Sequence, residues 1–169
     1  MIICALNDVA RFIDLAETFQ NHGFLNPPVR VSYPVLVRRM QETIRIITGV
    51  LEQETKQAGV EIVQGHAEIQ GSALHIDGVN TSYEAVVVAS GASPRIPEIP
   101  GCSLSGVYTA HSILSMPELP KKMVIIGSGV IAAEYAYIFS LFGSEVTILA
   151  RSSLLRTFPG QLVVEARKD

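Results

Sequence analysis

The chain has no tryptophan, and its 169 residues hold only two cysteines. Cys4 and Cys102 are too far apart in sequence to form a CxxC or CxxxxC redox pair, and two cysteines are too few for a zinc site. Free thiols in a reducing, cytoplasmic setting are the expectation. Charge is scarce as well. The net charge is −3 and no charge run reaches five residues, which argues against a nucleic-acid surface or a polybasic membrane patch. His22, His66, His75 and His111 show no ligand spacing, so no metal is expected. No leader peptide is expected, because the short apolar run Met1 to Leu6 ends at Asn7 and Asp8. Long apolar runs are nearly absent too. Met123 to Phe142 is 20 residues with one charge, Glu134. The glycines inside it favour a buried strand, turn and helix over a membrane span.

What is present centres on residues 122–151, KMVIIGSGVIAAEYAYIFSLFGSEVTILAR. An apolar strand, Met123 to Ile126, leads into Gly127-x-Gly129-x-x-Ala132. An amphipathic helix and a second apolar strand, Val146 to Ala150, follow. A dinucleotide pyrophosphate needs this order. Gly127 permits the sharp turn, and Gly129 lets the backbone approach the phosphates. Ala132 keeps the helix close to the sheet, and the helix N-terminus offers free N–H groups. The motif gains its weight from the flanking strands and helix.

Elsewhere the periodicity predicts a helix over residues 5–21, with Leu6, Val9, Ala10, Ile13, Ala16 and Phe19 on its apolar face. Gly23 and Pro27-Pro28 mark a loop. A longer helix is expected from Pro34 to about Ala58, with Val37, Met40, Ile44, Ile47 and Leu51 on one face and Gly59 as its C-cap. Val60 to Val63 reads as a short strand. His66–Ile69 and Ala73–Ile76 read as a hairpin about Gly71-Ser72. Glu84 to Ala89 reads as a strand covered on both faces. Pro94, Pro97 and Pro100 stiffen an irregular segment, Thr109–Met116 suggests one or two helical turns, and Gln161–Lys168 suggests a last helix beyond Pro159-Gly160. The fold class is α/β: helices plus a small β-meander, then a partial doubly wound βαβ unit of Rossmann type. The domain boundary is placed between 1–105 and 106–169.

Two motifs in order, VVVASGASPRIPEIPG (86–101) and GSGVIAAE (127–134), resemble the flavin-dependent pyridine nucleotide–disulfide oxidoreductases, the group of glutathione reductase, dihydrolipoamide dehydrogenase and mercuric reductase. Ala89-Ser90-Gly91 is similar to that family's Ala-Thr-Gly motif. The resemblance implies FAD in one Rossmann-type domain (1–105 holding part of it) and NAD(P)H in a second (106–169 its front half). A hydride then passes from NAD(P)H through flavin to a disulfide or similar acceptor. It also implies a CxxxxC and a Lys just before the first helix, where Cys4 stands instead of the Lys. An N-terminal FAD-binding GxGxxG and a C-terminal His-Glu pair are likewise not found. The chain is therefore expected to be a slice of such an enzyme, inactive alone, with FAD not retained.

The resemblance assigns Gly127, Gly129, Val130, Ile131 and Ala132 to the nicotinamide dinucleotide. It places Glu134 near the nicotinamide and the flavin, and Val130 where some relatives carry an aromatic gate. Ser90 and Gly91 fall at the crossover near FAD. Arg151 lies 19 residues after Ala132, where NAD sites usually place an acidic residue. An Arg there, with Arg156 and the hydroxyls of Ser152 or Ser153, suits the 2′-phosphate, so NADP(H) is favoured over NAD(H). Tyr135, Tyr137, Phe139 and Phe142 read as packing, and Glu52 and Glu54 as a solvated face. Two other readings stand beside this one. One is a non-catalytic nucleotide-binding or interaction module that self-associates through an open sheet edge. The other is a flavin transhydrogenase.

Overall fold

The structure is a computed structural model and describes residues 2–26 and 29–155. The expected features at Pro27-Pro28, Pro159-Gly160 and 161–168 lie outside those residues. The chain divides into two compact units, residues 1–43 with 98–169, and residues 44–97.

In the first unit, α1 (Ile2–Asn21) buries Leu6, Ala10, Ile13 and Ala16. Steps of four, three and three keep these side chains on one stripe, and two alanines let a neighbouring helix approach closely. That neighbour is α3 (Val130–Leu141), which also packs on both strands of a parallel pair, β4 (Lys122–Ile126) and β5 (Glu145–Leu149). Register runs from Lys122 opposite Glu145 to Ile126 opposite Leu149, and Lys122 Nζ meets Glu145 Oε2 at 3.0 Å. Alternation turns Met123, Ile125, Val146 and Ile148 inward, and leaves Val124, Ile126 and Leu149 exposed. No helix among the described residues is long and apolar enough to cross a membrane.

The core of this unit is aromatic. Ile138 and Phe139 are fully buried, and Phe139 stacks against Tyr33, Tyr135 and Phe142 at centroid distances of 6.4, 6.0 and 6.0 Å. Tyr135 and the two phenylalanines pack as expected, but Tyr137 is 40% exposed. It sits on the α3 face turned away from that cluster. The phenols of Tyr33 and Tyr135 donate to the Ile113 and Ala110 carbonyls, and Gln41 donates to the Leu114 carbonyl. These bonds hold a single 3-10 turn, Ile113–Ser115, in the segment expected to carry one or two helical turns.

Helix α2 (Tyr33–Gln57) starts in the first unit and ends in the second. Met40 is buried and Val37, Ile44 and Ile47 are half-buried, as the spacing predicts, while Leu51 is exposed. Gly59 ends the helix at φ +81. Its N–H reaches the Lys56 carbonyl, and the Val60 N–H reaches Thr55, which together satisfy two orphan carbonyls.

The rest of the second unit is an antiparallel meander of β1 (Ala67–Gln70), β2 (Ala73–Ile76) and β3 (Val79–Thr81). The hairpin about Gly71 forms as expected. The third strand was not anticipated. It follows Asp77 (φ +49) and Gly78 (φ +81), the two left-handed residues of a type I′ turn. Two expected strands do not form. Residues 60–63 and 84–89 have strand composition but no ladder, and Val87 is 89% exposed. A strand exists only with a paired neighbour, and none of the described residues pairs with these segments.

Candidate functional site

The β4–α3 joint is built by two glycines that do different work. Gly127 has φ +146, a conformation that side chains rarely tolerate. Its N–H donates to the Leu149 carbonyl at 3.0 Å and so extends the sheet by one bond past Ile126. A Cβ on Gly127 would meet the Ala132 Cβ at 3.6 Å, which is ordinary contact. The constraint at 127 is therefore the backbone. Gly129 is the N-cap of α3 at φ −84 and ψ −177, open to any residue, and a Cβ there would meet nothing within 4 Å. The fold does not require glycine at 129.

No side chain caps α3, and its first turn carries no acid. Among the described residues its first N–H groups therefore have no capping side chain, and no acidic side chain in the first turn offsets the positive end of the helix. Beside that end lies a cleft of about 340 Å³ lined by Ile126, Gly127, Ser128, the N-cap Gly129, Leu149, Arg151 and Ser152. Arg151 and Ser152, exposed beyond β5, share that cleft with the glycine turn because parallel strands deliver both ends to one edge of the sheet. Ser153 is not among the lining residues, and Arg156 lies outside the described residues.

The other expected residues are dispersed. Val130 and Ile131 are 42% and 51% exposed on the first turn of α3, and Ala132 is buried beneath it. Glu134, half-buried, makes no hydrogen bond or ion pair among the described residues. Burial pushes the neighbouring Tyr135 phenol up, and the Glu134 charge adds to the shift. Ser90 and Gly91 belong to the second unit and are exposed outside any helix or strand, with Gly91 at φ +74. One contact had no signal in the sequence. The Leu155 N–H donates to the Ser128 carbonyl at 2.7 Å, with Leu155 at φ +53.

The family model described as pyridine nucleotide-disulphide oxidoreductase matches residues 7–168. The chain belongs to that family. Its members are flavoproteins that use FAD and a nicotinamide dinucleotide. Mercuric reductase of Staphylococcus aureus is 35% identical over 109 residues, which is 63% of this chain and 20% of that protein. Glutathione reductase of Burkholderia cepacia is 33% identical over 148 residues, 86% of this chain and 32% of that protein. Among solved structures, the HOCl-induced flavoprotein disulfide reductase RclA from Escherichia coli, as its Cu(II) complex, superposes with a TM-score of 0.78 at 23% identity. That match covers 99% of this chain and 36% of the other. The chain thus spans about a third or less of the two curated relatives.

Proposed function

We propose that the chain supplies the nicotinamide-dinucleotide side of a flavin-dependent oxidoreductase, and that the cleft at the β4–α3 joint takes NADP(H) in preference to NAD(H). The observation that carries this reading is Gly129. Neither its backbone nor its surroundings call for glycine, so its bare backbone is best explained by a ligand that comes close. In this reading the first-turn N–H groups of α3 hold the pyrophosphate. Arg151 and Ser152 receive the 2′-phosphate by charge-assisted hydrogen bonds. Bound NADPH would supply a hydride that passes through flavin to a disulfide or a similar acceptor. Glu134, without an ion-pair partner among the described residues, is the carboxylate next along the helix.

We assign residues 1–105 to the FAD side and 106–169 to the nicotinamide side. In the same reading these 169 residues do not retain FAD or turn over alone. The free thiols Cys4 and Cys102 fit a reducing, cytoplasmic setting. Among the described residues the β4–β5 pair has no third strand, which supports self-association through that sheet.

Titration calorimetry with NADPH and NADH tests the reading. NADPH is expected to bind about tenfold or more tightly than NADH, the gain from one charge-assisted phosphate contact. Equal or tighter NADH binding overturns the preference, and no binding of either overturns the site. The purified chain is expected to be colourless, and a yellow preparation would show that flavin is held.

A further inference from the structure

The segment after β5 folds back on the glycine turn. Two backbone bonds tie them together. Gly127 donates to the Leu149 carbonyl at 3.0 Å, and Leu155 donates to the Ser128 carbonyl at 2.7 Å. Between these ties lies a short excursion that carries Arg151 and Ser152, both lining the cleft. The second tie is unusual in its backbone. Leu155 takes φ +53, a region that leucine seldom enters because its Cβ crowds the carbonyl. Leu154 and Leu155 are half-buried, while residues 151–153 are exposed. A strained, partly buried residue therefore closes a loop whose polar side chains face solvent and the cleft.

The two halves of the cleft depend on different parts of the fold. The pyrophosphate cradle is made by Gly127, Gly129 and the first turn of α3, and its one described backbone bond to residues 151–155 is that of Ser128 to Leu155. The position of Arg151 is fixed at one end by β5 and at the other by Leu155. Freed at the second end, Arg151 would sample many positions, and ordering it on a ligand would cost affinity.

We infer that Leu155 is a positioning residue for cofactor selection. Its backbone N–H, bonded to Ser128, clamps the 151–155 loop to the glycine turn and holds Arg151 where a 2′-phosphate is read. This rests on the NADP(H) reading of the cleft. The clamp acts on the 2′-phosphate alone and leaves the pyrophosphate contacts intact.

The test uses the full chain with Leu155→Pro and Leu155→Gly. Proline has no N–H and cannot reach φ +53, so it removes the clamp. Glycine keeps the N–H and adopts that φ without strain. Leu155→Pro is expected to weaken NADPH about tenfold while NADH changes less than about twofold. Leu155→Gly is expected to keep the wild-type preference. A wild type that prefers NADPH together with a Leu155→Pro variant that keeps the preference overturns the clamp and leaves the NADP(H) reading standing. A wild type without the preference overturns both. If circular dichroism shows that Leu155→Pro does not fold, hydrogen exchange of the wild-type Leu155 amide decides. Protection that rises with NADPH supports the clamp, and exchange at an open-loop rate with NADPH bound overturns it.

Discussion

The Cβ of Ala132 lies 3.6 Å from the point where a Cβ on Gly127 would sit, so the two residues could pack in comfort if the backbone at 127 allowed a side chain. The backbone forbids it, because φ at Gly127 is +146. At Gly129 neither space nor backbone objects. The two glycines therefore separate fold from function. Gly127→Ala is expected to destabilise the chain by about 1–3 kcal/mol, the usual cost of a side chain in such a conformation. Gly129→Val is expected to cost no more than about 1 kcal/mol, the ordinary loss when an apolar residue replaces glycine at an N-cap, while dinucleotide affinity drops at least about tenfold. Thermal melts paired with calorimetric titration check this. Wild-type dinucleotide affinity in Gly129→Val would falsify the ligand explanation for that glycine.

Arg151 offers a second separation, between nucleotides. Its guanidinium is always charged and presents a fork that suits phosphate oxygens. Arg151→Glu replaces attraction with repulsion at the 2′-phosphate and supplies a hydrogen-bond acceptor for a ribose 2′-hydroxyl. NADPH affinity is expected to fall about 100-fold, with NADH held or improved, since loss of a charged pair also leaves like charges together. Raising the salt concentration should narrow the wild-type preference, because the exposed arginine is screened. If NADPH and NADH weaken in equal measure, Arg151 does not read the 2′-phosphate.

A third prediction concerns the frame under the cleft. Ser144 is 6% exposed, and its Oγ donates to the Pro120 carbonyl at 2.6 Å, tying the start of β5 to the residue that leads into β4. Ser144→Ala leaves that carbonyl without the bond and is expected to cost about 1–2 kcal/mol. Ser144 does not line the cleft, so affinity for NADPH should stay unchanged while the melting temperature falls. An unchanged melting temperature would show that water replaces the hydroxyl.

Particular residues show what could be read in advance. The β4–α3–β5 unit was legible because the apolar period changes at Gly127 and again at Gly143, and because both strands have a partner in each other. Val86, Val87 and Val88 were misread for the complementary reason. β-branched composition reports suitability for a strand, whereas a strand also needs a neighbour to pair with, and Val87 is left 89% exposed without one. β3 was legible in principle, since Asp77-Gly78 is a strong type I′ signal. Leu155 was not. A leucine at positive φ follows from tertiary constraint and leaves no mark in local sequence. Arg151 lines the cleft because the glycine turn and the end of a parallel β5 emerge at the same edge.

Tyr33 sets the response to alkali. It is 3% exposed among Tyr135, Phe139 and the 3-10 turn, and burial, with smaller contributions from Tyr108 and Tyr135, pushes its phenol up to about 12 from an ordinary value of 10.0. Burial also raises the Tyr135 phenol. The folded chain favours the neutral phenol. Between pH 10 and about 12 the unfolded chain releases this proton while the folded chain keeps it. The stability is therefore whole below pH 10 and drains as the pH rises toward about 12, by about 2–3 kcal/mol for Tyr33. Tyr33→Phe removes that loss at the expense of one long hydrogen bond, 3.4 Å to the Ile113 carbonyl, which is worth about 1 kcal/mol or less. Urea unfolding at a series of alkaline pH values should show the wild type starting ahead and the variant catching up above pH 10, with a residual slope from Tyr135. Parallel losses in the two proteins would mean that Tyr33 ionises in the folded state as freely as in the unfolded one.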